Sequence, residues 1–253
     1  MGSEPLELAI EPGTPPRTIA RDIERAGVRV DARLLFAWFR LSGKVREIRA
    51  GNYEIPPGTT PIALLDKLVR GEESLRSLTL VEGWTFRQMR ASLAREELRH
   101  DTASLSDAEI MQQLGRPGVP AEGRFFPDTY AYAKGSSDLA VLRRALHAMD
   151  RHLEAAWAQR SADTPLKSAD EALVLASIVE KETGQAADRP QIAGVFANRL
   201  RTGMLLQTDP TVIYGLGEKF DGNLRKRDLQ TDTPWNTYTR AGLPPTPIAM
   251  PGK

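Results

Sequence analysis

Two acidic residues stand near the end of a strongly apolar predicted helix. Glu180 and Glu182 close the segment SADEALVLASIVEKETG. Ser168 and Glu171 are spaced as a capping box at its start, and Gly184 suits the left-handed position after its last turn. A helix that is apolar on nearly all sides is buried. Because burial and the negative end of the helix dipole both disfavour a carboxylate, we expect a protonated carboxyl, which a general acid needs.

The two acids cannot serve the same cleft. Residues two apart on a helix project about 200° from each other around its axis, so at most one of them faces a given substrate. The alternative interpretation is that both are ordinary polar residues at a frayed helix end. The pattern alone does not decide between the two.

The composition excludes several classes of function. The 34 basic and 33 acidic residues nearly cancel, so no strong field indicates nucleic acid as a partner. The chain has no cysteine, and its three histidines are scattered, so the sequence predicts no metal site and no cofactor. No local motif supports a Ser–His nucleophile pair. No apolar run of about 18 residues is present that could span a membrane.

The chain divides into two predicted parts. Its 253 residues, 41% of them hydrophobic, are enough for two or three compact cores. Residues 4–75 are predicted to form strand, helix, helix, strand and a further helix. This order is similar to that of a LysM module, which binds the N-acetylated sugar backbone of peptidoglycan or chitin. A small α+β spacer explains the pattern equally well. We expect an α+β fold, with a mixed α/β body at residues 76–253 built on the buried helix.

Capping signals indicate where several helices of this body begin. Capping boxes start at Thr85 and Ser106, and Asp188 is a further candidate N-cap. Residues 139–158 are predicted to form one long helix. Residues 211–214 suit either a short strand or the start of a helix.

Aromatic residues and two irregular loops are candidates for substrate contact. Four aromatic side chains crowd together in EGRFFPDTYAYAK: Phe125, Phe126, Tyr130 and Tyr132. Aromatics with polar tips suit a sugar groove, but they equally suit a strand packed in a core, and we favour the core. Polar aromatics and prolines also concentrate in residues 204–214 and 234–250, and we expect both loops to border the cleft that exposes Glu180.

Five motifs then occur in order: EGWTF, EGRFFPDTY, LASIVEKETG, FANRLRTGMLLQTDPTVIYG and NTYTRAGLPPTPIA. Together they resemble the MltG (YceG-like) endolytic murein transglycosylases. The resemblance implies a bacterial inner-membrane protein with one N-terminal membrane helix, a periplasmic body, a LysM-like subdomain and a catalytic domain. The sequence departs from the family in two ways. The membrane helix is missing, and the chain stops at Lys253, where the family usually continues.

The resemblance also implies an activity that one carboxyl can carry. A lytic transglycosylase cleaves the MurNAc–GlcNAc β-1,4 bond of nascent glycan strands, leaves 1,6-anhydro-MurNAc ends and terminates elongation. The nucleophile is the C6 hydroxyl of the same sugar, so no second carboxylate, metal or cofactor is needed. The family's catalytic glutamate falls on Glu180, the first acid of VEKE.

For the cleft wall we predict six residues whose amide, phenol and charged groups suit acetamido and lactyl hydrogen bonds: Gln207, Tyr214, Asn236, Tyr238, Arg124 and Asp128. Each of them also fits the alternative of a satisfied turn or core residue. The expected partners are peptidoglycan glycan strands, peptidoglycan synthases and the membrane that the N-terminal helix would enter. An alternative function is a non-catalytic peptidoglycan-binding scaffold that recruits cell-wall synthases.

Overall fold

The computed structural model describes residues 6–253, which form a mixed α/β structure with short strands, as the predicted fold class requires. The elements are β1 (Leu6–Ile10), α1 (Pro16–Arg25), α2 (Ala32–Leu41), β2 (Gly51–Ile55), α3 (Pro61–Arg70), β3 (Leu75–Thr79), α4 (Phe86–Leu93), α5 (Asp107–Gln113), β4 (Thr129–Ala133), α6 (Asp138–Ala158), α7 (Ala169–Glu182), α8 (Arg189–Thr202), α9 (Asp209–Leu216) and α10 (Lys226–Gln230). Within residues 6–253, every helix is too short or too polar to cross a bilayer.

The chain divides into two compact units. One comprises Met1–Ser77 with Ala131–Ser136, and the other comprises Leu78–Tyr130 with Ser137–Lys253. In the first unit β1 and β2 pair antiparallel, from Leu6 opposite Ile55 to Ile10 opposite Gly51. The buried faces of this sheet and of α1–α3 share one apolar core. The strand–helix–helix–strand order is as predicted, and its kinship with LysM modules stays a prediction.

The second unit is built around α7, which packs against α6, α8 and α9. Its central turns are buried, as the unbroken apolar run predicted. One polar group lies inside this helix. The hydroxyl of Ser177, fully buried, donates to Val174 O at 2.7 Å and accepts from Ile248 N at 3.0 Å. The end of the chain is thereby tied to the middle of α7.

The ends of α7 and α8 differ from the sequence prediction. α7 stops at Glu182, because Thr183 is extended (φ −147°, ψ 136°), so the left-handed cap predicted at Gly184 is wrong. Asp188 makes no side-chain cap, since its own backbone is helical. Ser168 caps α7, but Glu171 accepts from Lys167 N rather than closing the box on Ser168.

The aromatic motif lies in the core. Phe125 is fully buried and stacks on Phe86 at 4.9 Å, while Phe126, Tyr130 and Tyr132 are each less than a tenth exposed. Tyr130 and Tyr132 are the inward residues of β4. The core interpretation of this motif is therefore confirmed, and these rings do not offer a sugar-stacking face.

Candidate active site

The last turn of α7 presents its two acids to different surroundings. The side chain of Glu180 is only 9% exposed, and its Oε2 accepts from Gly252 N at 3.1 Å and lies 3.6 Å from Arg189 Nη2. Glu182 is exposed, and its Oε1 accepts a hydrogen bond from Thr208 Oγ1. The Glu182 carboxylate is therefore open to solvent, whereas that of Glu180 is nearly enclosed by protein.

Both predicted loops contribute to the surroundings of Glu182. Thr208, from the first loop, donates the hydrogen bond described above. Tyr238, from the second, donates its phenol hydrogen to Asp209 Oδ1 at 2.5 Å. Burial raises the pKa of the Tyr238 phenol to about 12, with smaller contributions from Asp209 and Glu182. The phenol therefore stays protonated at neutral pH, within electrostatic reach of the Glu182 carboxylate.

Gln207 lies on this loop in a strained conformation. Its φ is +50°, and it is the one non-glycine residue with positive φ in the part of the chain that the structure describes. Its neighbours Leu206 and Thr208 are buried, whereas Gln207 itself is exposed. The backbone N–H of Gln207 donates to Thr237 O at 3.1 Å. Such conformations of non-glycine residues concentrate at functional sites. Gln207 thus projects its side chain to solvent one residue from the hydrogen-bond donor to Glu182.

Asn236 has an internal role. It is fully buried, and its Nδ2 donates to Thr231 O at 2.7 Å and Leu229 O at 3.0 Å. Its Oδ1 accepts from Tyr238 N at 2.8 Å. The amide therefore closes the turn that carries Tyr238, and does not present its hydrogen-bonding groups to a cleft.

Tyr214 is likewise engaged inside the protein, with an acid that the sequence argument missed. Its hydroxyl donates to Glu122 Oε2 at 3.1 Å, and its ring meets Trp235 edge-on at 5.6 Å. Burial raises the pKa of Tyr214 well above its usual range, and the neighbouring Glu122 adds to this. Burial also raises the pKa of Glu122 to about 7, against hydrogen bonds from Phe86 N and Tyr214 that lower it. The signal that the sequence offered for this acid was its position: Glu122 is the first residue of the aromatic motif EGRFF.

The remaining two predicted residues lie elsewhere. Arg124 Nη1 donates to Asp170 Oδ1 at 2.6 Å, in the first turn of α7. Twelve residues of helix separate Asp170 from Glu182, which is about 18 Å at the usual rise per residue. Asp128 is exposed, and its side chain accepts from Thr129 N at 2.7 Å, at the start of β4. Of the six predicted wall residues, the structure brings Gln207 and Tyr238 to the last turn of α7.

No metal centre accompanies these groups. Among residues 6–253, no three His, Cys, Asp or Glu side chains gather in a metal-binding cluster. The chemistry that the described site offers is that of an accessible carboxyl with a hydroxyl donor, a nearby phenol and an exposed amide.

Comparison with known proteins gives the family. A family model described as the YceG-like family matches residues 8–253. The chain belongs to the YceG-like family. It is 33% identical to the endolytic murein transglycosylase of Bacillus subtilis (strain 168), over 81% of this chain and 61% of that relative. It is 27% identical to the protein of the same name from Streptococcus pneumoniae serotype 2 (strain D39 / NCTC 7466), over 97% of this chain and 50% of the relative.

A solved structure of a YceG-like protein from Listeria monocytogenes shares the fold. It is 27% identical, has a TM-score of 0.58, and the match covers 99% of this chain and 88% of that one. The resemblance predicted from five motifs is therefore confirmed. This YceG-like chain spans between half and two thirds of the length of the two curated relatives.

Proposed function

We propose that this chain is the glycan-cleaving part of an endolytic murein transglycosylase. Its membership of the YceG-like family and the names of its relatives support this activity on peptidoglycan. The observation that carries the proposal is the last turn of α7, where the Glu180 side chain is nearly buried and Glu182 accepts from Thr208, beside the loops that supply Gln207 and Tyr238.

Glu180 is the acid that the family resemblance assigns, and its surroundings fit that role. The Glu180 side chain is nearly buried, which keeps bulk water away from the proton that it transfers. Its Oε2 accepts from Gly252 N, so we propose that the substrate approaches its Oε1. Glu182 is exposed, and it projects from the helix about 200° away from Glu180.

One carboxyl completes the reaction. Glu180 donates its proton to the glycosidic oxygen between MurNAc and GlcNAc as the bond from C1 to that oxygen breaks. The C6 hydroxyl oxygen of the same MurNAc bonds to C1, and its proton passes to the Glu180 carboxylate. The products are a 1,6-anhydro-MurNAc end and a GlcNAc with a free hydroxyl, and Glu180 is protonated again. Since the nucleophile is tethered to the reacting carbon, its effective molarity is high.

Neighbouring groups orient the acid and the sugar. Gly252 N donates to one oxygen of Glu180, and Thr208 holds the neighbouring Glu182 at the end of the same helix. The protonated phenol of Tyr238 and the exposed amide of Gln207 are the groups we propose for glycan hydrogen bonds. Tyr214 and Asn236 support the loops from inside.

The test uses the full-length protein and uncrosslinked glycan strands, with 1,6-anhydro ends measured by mass spectrometry. Glu180→Gln should lose at least about 10²–10⁴-fold in rate, because the amide cannot deliver a proton. Glu182→Gln, which keeps an acceptor for Thr208, is the matched control and should stay within about tenfold of the parent. The reverse result would assign the acid to Glu182. Strand binding by the parent without any anhydro ends would favour the scaffold alternative.

The family resemblance supports further proposals about the whole protein. These are an inner-membrane location with the catalytic body in the periplasm, a LysM-like subdomain at residues 4–75, and peptidoglycan synthases as partners. Action on nascent strands, with termination of their elongation, belongs to the same proposal.

A further inference from the structure

The second helix of the first unit exposes large apolar side chains to water. Leu34 is 72% exposed and Leu41 85%, and Trp38 between them is also exposed. Because they are four and three residues apart, the three side chains fall within about 60° on one face of α2. Together with Ile62 at the start of α3, they are half of the large apolar side chains exposed among residues 6–253. We call these four residues the apolar stripe.

Packing inside the first unit does not account for the stripe. The residues of α2 that the core uses are Leu35 and Phe39, which are buried against α1, α3 and the sheet. α2 therefore carries a second apolar face in addition to the one that the fold covers. Single exposed apolar residues are ordinary on a protein surface, but a continuous patch with a polar rim marks a contact surface.

Basic residues line one edge of the stripe. Arg33 and Arg40 are both exposed, and each projects about 100–120° from Leu34 on the same side of α2. Residues 29–46 contain five basic residues and one acid, Asp31. The Asp31 carboxylate is the N-cap of α2 and accepts from Arg33 N and Leu34 N. The rim of the stripe is therefore positively charged.

A cavity of about 580 Å³ opens beside the stripe, between the start of α2 and the start of α3. Three of the four stripe residues line it. Two of its polar residues, Asp31 and Thr60, are N-caps whose side-chain oxygens accept from backbone N–H groups. A sugar site needs several polar groups free to converge on hydroxyls, whereas apolar walls suit a hydrocarbon chain. The cavity therefore favours the acyl region of a lipid over a glycan.

We propose that the apolar stripe is a membrane-docking surface, which lays the first unit on a bilayer that carries anionic phospholipids. Its leucines and Ile62 enter the boundary between headgroups and acyl chains, where the indole of Trp38 also partitions. Arg33 and Arg40 then meet lipid phosphates. The contact is peripheral, because α2 lies on the bilayer while its other face stays in the core. The inference goes beyond the proposed reaction and does not depend on it.

The test uses the 253-residue chain and vesicles of two compositions. One is phosphatidylcholine alone, and the other is phosphatidylcholine and phosphatidylglycerol in equal parts. Cosedimentation at low and high salt gives the affinity for each. The parent should bind the anionic vesicles at least about tenfold more tightly than the neutral ones, and high salt should weaken this binding.

A first double variant removes apolar contact. Leu34→Ser/Leu41→Ser should weaken binding to anionic vesicles by about tenfold or more, because two side chains no longer enter hydrocarbon. Val195→Ser/Met204→Ser removes two exposed apolar side chains from the second unit and is the matched control. It should change the affinity by less than about threefold. Thermal melts verify that both variants are folded.

A second double variant removes charge. Arg33→Gln/Arg40→Gln should weaken binding to anionic vesicles by about 10–30-fold, and should leave binding to neutral vesicles unchanged. Arg17→Gln/Arg21→Gln is the matched control, since it removes the same charge from two exposed positions of α1. It should change the affinity by less than about threefold, because charges away from the bilayer are screened.

Trp38 reports which surface meets the bilayer. Phospholipids brominated on their acyl chains quench a tryptophan that lies among them, and the other three tryptophans belong to the second unit. The fluorescence of the parent should fall on binding. Trp38→Phe should bind within about threefold of the parent and show little quenching. Quenching as strong as in the parent would place a different surface on the bilayer and overturn the proposal.

Equal binding to both kinds of vesicle, or stripe variants no weaker than their controls, would also overturn it. Other occupants have their own signatures. Soluble glycan strands that bind the parent but not Leu34→Ser/Leu41→Ser would make the stripe a glycan site. Dimers of the parent that this variant does not form in sedimentation velocity would make it an interface between copies. Either result would rule out membrane docking. None of these measurements involves anhydro-end release, so their failure is distinct from failure of the proposed reaction.

Discussion

Thr208 Oγ1 donates a hydrogen bond to Glu182 Oε1, and this contact joins the end of α7 to the residue before α9. Thr208 is buried, and its backbone is fixed from the other side, where its N–H donates to Thr237 Oγ1 at 3.1 Å. The hydroxyl therefore comes from a rigid support. A donor held in this way restricts the rotation of the Glu182 carboxylate and so fixes the last turn of α7, which also carries Glu180.

Replacing Thr208 with valine should lower kcat for anhydro-end release by about tenfold and leave KM nearly unchanged. Valine keeps the shape of threonine but cannot donate to Glu182, so the last turn of α7 that carries Glu180 is held less firmly. Steady-state kinetics on uncrosslinked strands measure both constants. Thr202→Val is the control, because the Thr202 hydroxyl bonds only to carbonyls of its own helix α8. Equal losses in the two variants would contradict a specific role for the Thr208 hydroxyl.

Glu122 should make the unfolding free energy depend on pH. Its pKa is raised from the ordinary 4.5 to about 7 by burial, so the folded state binds its proton more tightly than the unfolded state. This contribution to stability is complete below pH 4.5 and is lost as pH rises to about 7. The loss is on the order of 3 kcal/mol for a shift of this size.

Glu122→Gln isolates this contribution. The amide can still accept from Phe86 N and still pair with the Tyr214 hydroxyl, but it does not titrate. Urea unfolding at several pH values should give a variant about as stable as the parent near pH 4.5 and more stable above pH 7. Because the other acids are common to both proteins, their contributions cancel in the difference between the two unfolding free energies. A difference that is constant across this range would show that Glu122 titrates normally.

Local signals predicted the elements well. The capping boxes at Thr85 and Ser106 are present, because each is a contact between residues three apart. The long helix predicted at 139–158 is Asp138–Ala158. Residues 211–214, left open between strand and helix, belong to α9.

Long-range partners could not be predicted in this way. Asn236 was expected to line a cleft, but its three strongest hydrogen bonds depend on a turn formed with residues 229–231. Glu180 was predicted from burial and the helix end alone, and its partners Arg189 and Gly252 reach it only after the chain folds. The residue types indicated polar chemistry correctly, while the partner of each group is set by tertiary packing.

Substitutions of Gln207 can separate backbone strain from a role in glycan binding. At φ +50° a non-glycine side chain is disfavoured by about 1 kcal/mol or more, and glycine is not. Gln207→Gly should therefore be as stable as the parent or slightly more so, and Gln207→Ala should not gain. If the exposed amide binds glycan, both variants should raise KM by a similar factor of about 3–10. Thermal melts and kinetics on the same samples check this. An unchanged KM in both would remove Gln207 from the glycan contacts.

Replacing Asn236 with alanine should lower the stability of the protein, because this residue has a structural role. The substitution removes two donors and an acceptor from a fully buried site, and Leu229 O, Thr231 O and Tyr238 N lose their hydrogen bonds to Asn236. Unpaired buried groups of this kind cost about 1–3 kcal/mol each, so the unfolding free energy should fall by at least about 2 kcal/mol. Asn223→Ala, at an exposed turn, is the matched control and should change stability by less than about 0.5 kcal/mol.

The kinetic consequence distinguishes this role from the one predicted from sequence. If Asn236 supports the turn, its loss affects activity through the position of Tyr238 and through the fraction of folded protein. Both effects grow as the variant is warmed. A glycan-binding asparagine would raise KM at every temperature without lowering the melting point. We expect Asn236→Ala to keep a near-parental KM well below its melting temperature, since the buried amide has no free hydrogen to offer a sugar. Kinetics at low temperature together with a thermal melt give the answer, and a raised KM in a fully stable variant would return Asn236 to the cleft wall.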